Sequence, residues 1–108
     1  MASANRSNIM DFKDVTKNLA GQTDYRLEQR FNEMLRRNPS YKNLNAANQE
    51  LIKDIIEEYR EKIRHGIKPS YTTIKQRKYY FYSNHVKLGL TYYDLEQINK
   101  LLDSFKSI

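Results

Sequence analysis

Leu51, Ile52, Ile55, Ile56, Tyr59 and Ile63 recur at spacings of three and four, with Lys53, Asp54, Glu57, Glu58, Glu61, Lys62 and Arg64 mostly between them. A stripe of this period puts every large apolar group on one side of an α-helix and the charges on the other. It predicts a helix from about Asn45 to His65 that must bury one face against partners of its own kind. Glu58 and Lys62 add a favourable pair one turn apart. Gly66 supplies a left-handed stop and Pro69 follows.

The same period predicts three further helices. One runs from Asp24, read as its cap, to Arg37, with Leu27, Phe31, Met34 and Leu35 inward, and Asn38-Pro39 ends it. Another runs from Ser70 to about Leu88, with Thr72 and Thr73 in the first turn and Gly89 as terminator. Its apolar stripe is read as Ile74, Phe81, Tyr82, His85 or Val86, and Leu88. The last starts near Thr91, where Thr91-x-x-Asp94 has the form of a capping box, and buries Leu95, Ile98, Leu101, Leu102 and Phe105. No strand-like alternation occurs. The expected fold is all-α: a compact bundle of about four helices over residues 24–108, preceded by a flexible N-terminal tail over 1–23 with room for one short helix across 11–19.

Chemistry-bearing patterns are few. There is no cysteine, and the two histidines, His65 and His85, form no zinc pattern, so no metal or cofactor is expected. Gly21, Gly66 and Gly89 lie too far apart for a phosphate-cradling loop. Glu57-Glu58 reads as a solvated helix face. No catalytic residue is therefore assigned, and the chain is not expected to be an enzyme in itself. Lack of cysteine, of a secretory signal and of a long apolar run suggests a cytoplasmic protein without a membrane partner.

The remaining signal is charge. The chain carries 19 basic against 13 acidic residues, a net +6, which favours a polyanion as partner. Arg60, Lys62, Arg64, Lys68, Lys75, Arg77 and Lys78 are opposed only by Glu61 between Arg60 and Lys78. Cations there would neutralise phosphates, Ser70, Thr72 and Thr73 would hold phosphate oxygens at a helix start, and Gln76 would reach base edges. Tyr79 opens an aromatic run and would bond a phosphate or stack. The expected DNA-binding residues are thus Arg64, Lys68, Ser70, Thr72, Thr73, Lys75, Gln76, Arg77, Lys78 and Tyr79, and the partner is double-stranded DNA.

The runs NQELIKDIIEEYR over 48–60, SYTTIK over 70–75, VKLG over 86–89 and DLEQINKLL over 94–102 together resemble the core-binding, SAM-like N-terminal domain of tyrosine recombinases and phage-type integrases, the archaeal branch in particular. The likeness spans roughly residues 27–106. It departs from the pattern at Lys78, where a core aromatic is common. The resemblance implies a helical clamp on one face of duplex DNA. It also implies a separate C-terminal catalytic domain, carrying the tyrosine nucleophile and its activating cations, and other recombinase protomers on the DNA. His65-x-x-Lys68 is not the histidine–arginine pair that such catalysis uses. Two other readings stand beside it. One is a small protein-interaction module using Tyr41, Tyr92 and Tyr93; the other is a helix-turn-helix regulator of a mobile element, which would be a symmetric dimer.

Overall fold

Helices start in this chain where a side-chain oxygen can take the backbone N–H groups that the first turn leaves free. Asp11 caps α1 (Phe12–Thr16), Thr23 caps α2 (Asp24–Arg37) and Asn45 caps α3 (Ala46–Arg64). Ser70 caps α4 (Tyr71–Ser83) and Thr91 caps α5 (Tyr92–Ser104). The computed structural model describes residues 9–107, and among them there is no strand. Short 3-10 turns at Leu19–Gly21, Pro39–Tyr41 and Phe105–Ser107 complete the path. The all-helical bundle expected from the sequence is present, and the short helix allowed for across 11–19 is α1, ahead of the four longer helices.

The α3 stripe forms the centre of the core. Ile52, Ile55, Ile56 and Tyr59 are buried, and Tyr59 stacks on Phe105 with ring centroids 4.1 Å apart and planes 3° from parallel. Leu95, Ile98, Leu101 and Leu102 of α5 close the core from the other side. Asn38 takes the extended backbone that a following proline imposes, which ends α2. Gly66, at φ 81°, ends α3: its N–H and that of Ile67 reach the Ile63 and Lys62 carbonyls at 3.0 and 2.8 Å. Thr91 and Asp94 form the expected capping box, with reciprocal bonds of 3.1 and 2.9 Å.

Three expectations need correction. First, residues 9–23 are not a tail. Phe12, Val15 and Leu19 are buried, and α1 packs against both α2 and α5. Polar bonds pin the segment: Asn38 Nδ2 donates to the Met10 carbonyl (2.7 Å), Gln22 Nε2 to the Val15 carbonyl (2.9 Å), and Tyr41 Oη to Asp11. Residues 1–8 of the expected tail lie outside the described residues. Second, Asp24 does not cap α2; Thr23 Oγ1 does, accepting from Arg26 N at 3.1 Å, while Asp24 pairs with Arg60. Third, α4 stops at Ser83 and buries only Ile74 and Phe81; Tyr82, Val86 and Leu88 are exposed. At its end Asn84 N bonds the Tyr80 carbonyl at 3.1 Å, and Asn84 Nδ2 (2.8 Å) and His85 Nδ1 (2.7 Å) add side-chain bonds to the Tyr80 and Tyr82 carbonyls. Residues 84–89 make one further irregular turn, which Gly89 ends at φ 71°.

Candidate nucleic-acid interface

Seven of the chain's 19 Lys and Arg residues, and none of its 13 Asp and Glu, lie between Lys62 and Tyr93. The rest of the chain is one charge negative, so this stretch carries the whole positive excess. It comprises the end of α3, the Gly66–Pro69 turn, all of α4 and the turn into α5. The feature was legible in the sequence, but a window closed at Lys78 hides its extent.

The fold then sorts these cations into two groups. The first is bound within the fold, to carboxylates of its own or a neighbouring helix and to backbone carbonyls. Arg77 Nη1 meets Glu58 at 2.9 Å, and Lys62 meets the same carboxylate at 3.1 Å. Lys78 Nζ lies 2.6 Å from Asp103, which also holds Lys106 at 2.9 Å. Partial burial raises the Asp103 pKa, but the hydrogen bonds from Lys78 and Lys106 outweigh it and hold the group below its ordinary value. Arg64 donates to the Ala20 carbonyl (2.8 Å) and the Gln22 carbonyl (2.7 Å) and pairs with Glu61 at 3.1 Å. Arg60 is 5% exposed and bound to Asp24 and the Gln22 carbonyl. Of the expected contacts, Arg77 and Lys78 therefore brace helix against helix, and Arg64 ties α3 to the turn at residues 20–22, roles their sequence neighbourhood does not reveal.

The second group is free. Lys68, Lys75 and Lys87 have no carboxylate within 4.0 Å among the described residues. Thr72, Lys75, Gln76 and Tyr79 are all exposed, and their spacing of three and four puts them on one outward face of α4. Lys68 lies in the turn before α4, on the side toward α3. With Lys62 and Thr73 it lines a notch of about 60 Å³ between the turn and α3. Ser70 and Thr73 are placed differently. Ser70 Oγ accepts from Thr73 N at 3.1 Å, Thr73 Oγ1 accepts from Ser70 N at 3.2 Å, and the two hydroxyls meet at 2.8 Å. They set the direction of α4 and are engaged within the cap.

Beyond Tyr79 the same side of the protein turns aromatic. Tyr82, His85 and Tyr92 form a ladder, with centroids 5.8 Å apart at 29° and 5.2 Å apart at 36°. Sequence periodicity places Tyr82 in the core; it lies within α4 but about 100° round the helix from the buried Phe81, on a face that no other helix covers. A larger concavity, about 710 Å³, lies elsewhere, along α2. It mixes Arg26, Arg30 and Arg36 with Asp14, Glu28 and Glu33, so it presents no single sign of charge. Among the described residues no cluster of three His, Asp or Glu side chains is placed to hold a metal ion, and no helix is long and apolar enough to cross a membrane.

No family model, curated protein or solved structure matches the chain.

Proposed function

We propose that this chain is a non-catalytic DNA-binding module that grips duplex DNA, in the cytoplasm, with the outward face of α4. The observation that supports it is the carboxylate-free stretch from Lys62 to Tyr93, on which Lys68, Lys75 and Lys87 stand unpaired beside Thr72, Gln76 and Tyr79. Lysines so placed meet phosphates and release counterions, a contribution that carries no sequence information. Gln76 is of the side-chain type that reads adenine in the major groove. The likeness to the core-binding domain of tyrosine recombinases belongs to this proposal. On that reading the nucleophile and its activating cations belong to a C-terminal catalytic domain, with which this module would share the DNA.

Three phosphate contacts predict a shallow but definite salt dependence. Between about 50 and 200 mM salt, affinity should fall roughly 40-fold. Joint replacement Lys68→Ala with Lys75→Ala should weaken binding on any duplex and lower the salt slope by about two, with helical circular dichroism unchanged because both side chains are exposed. Fluorescence anisotropy of a labelled duplex across a salt series measures both. A parent protein that shows no binding at low salt sinks the proposal.

The braced cations supply a test in the opposite direction. Asp103→Asn removes the charge that holds Lys78 and Lys106. Duplex affinity should then rise, by up to about fivefold, the worth of one exposed ion pair. Unchanged or weaker binding would place the DNA away from the α4–α5 side.

A further inference from the structure

The tyrosines of the carboxylate-free stretch are exposed in a number that neither packing nor phosphate binding requires. Tyr79, Tyr82 and Tyr92 are 71%, 58% and 70% exposed. Large apolar groups gathered at one surface mark an interaction site, and the surrounding charge indicates its partner. The centre of a protein–protein interface is depleted of lysine as well as of carboxylates. Here lysines remain, at Lys75 and Lys87, and the stretch itself holds no carboxylate; Glu96, one turn beyond Tyr92 on α5, is the exposed acid beside it. Rings interleaved with unopposed cations are the composition of surfaces that hold unpaired nucleic-acid bases, where each ring stacks a base and each cation follows the backbone.

We propose that the Tyr82–His85–Tyr92 ladder is a stacking platform for unpaired DNA bases. The proposal rests on the DNA-binding reading above and deepens it. His85 sits between the two tyrosines, and its ring is fixed by the bond from Nδ1 to the Tyr82 carbonyl. The ladder is thus preformed, and the outer faces of Tyr82 and Tyr92 are its open ends. Lys75, seven positions before Tyr82 on the same face of α4, and Lys87, in the turn that carries His85, are exposed and have no carboxylate within 4.0 Å among the described residues. The rings do not read sequence, because every base has a face to stack. The platform therefore adds affinity for melted, flipped or frayed DNA beside the duplex grip.

The experiment compares a labelled oligothymidylate with a duplex of matched length at low salt, by anisotropy and by quenching of tyrosine emission, which no tryptophan masks. The parent is expected to bind both. Tyr82→Ala combined with Tyr92→Ala should weaken the single strand about tenfold or more and the duplex less than about twofold, with helical dichroism retained. Tyr82→Phe combined with Tyr92→Phe should bind the single strand like the parent, since the ring faces remain. Duplex binding without single-strand binding overturns the platform and leaves the duplex grip standing. Single-strand binding without duplex binding supports the platform and overturns the grip. An alanine variant that binds oligothymidylate like the parent, or a phenylalanine variant that loses as much as the alanine one, overturns the platform. Absence of binding to either probe overturns both.

Discussion

Replacing Phe12 by alanine is expected to destabilise the protein by about 3–5 kcal/mol, the range for an aromatic residue removed from a packed core. Phe12 is 1% exposed, lies against Tyr41 with centroids 5.0 Å apart, and belongs to the helix that joins α2 to α5. A loss of that size lowers the melting temperature of a domain this small by roughly 12 °C or more. The exposed neighbour Lys13 provides the control: Lys13→Ala should stay within about 0.5 kcal/mol of the parent. Urea denaturation followed by circular dichroism measures both. Equal midpoints for parent and Phe12→Ala would return residues 9–23 to the status of a tail.

The second large effect is expected at Asp94. Its side chain is 2% exposed and has two functions. One oxygen accepts from Thr91 N at 2.9 Å and closes the capping box; the other accepts from Asn48 Nδ2 at 3.0 Å and ties α5 to α3. Asp94→Ala removes part of the cap, worth about 0.5–2 kcal/mol. It also leaves the buried Asn48 amide without its partner, at a cost of about 1–3 kcal/mol. The expected total is about 1.5–5 kcal/mol, read as a lower urea midpoint at unchanged slope. Asp94→Ala combined with Asn48→Ala should cost less than the sum of the two single changes, because the orphaned group is gone. Strict additivity would mean that the Asn48–Asp94 bond contributes nothing.

These two residues show what can be read from a sequence and what cannot. Asp94 was legible as a cap, since capping is local: Thr91 and Asp94 are three positions apart and announce themselves. Its bond to Asn48 spans 46 positions and has no local trace. The long helices were legible because each carries enough apolar residues at helical spacing to fix a buried side. Phe12, Val15 and Leu19 have that spacing too, and Asp11-x-x-Asp14 is a capping box ahead of them. Three apolar groups amid polar neighbours do not distinguish a short docked helix from a solvated one, and only the bulk of α2 and α5 decides it. In the candidate site, the outward position of Thr72, Lys75, Gln76 and Tyr79 followed from helical spacing. The pairing of Arg77 with Glu58, 19 positions away, and of Lys78 with Asp103, 25 positions away, did not, because ion pairs across helices depend on which faces meet. The exposure of Tyr82 was missed for a further reason. α4 buries only the narrow line of Ile74 and Phe81, and a sequence does not say how wide a stripe its neighbours will cover.

The shallow seat of α4 has a consequence for how this protein can change. Ile74 and Phe81 alone bury it in the core, and Arg77 and Lys78 brace its flanks. Thr73 is held in the cap, and Tyr71 and Tyr80 lie against Lys106 and Phe81; the outward positions Thr72, Lys75, Gln76 and Tyr79 are exposed. Substitutions at those four positions therefore meet almost no resistance from stability. The scaffold behaves as a holder with an exchangeable blade: rewriting that one outward surface of α4 would alter what the helix presents, and the remaining four helices would register little.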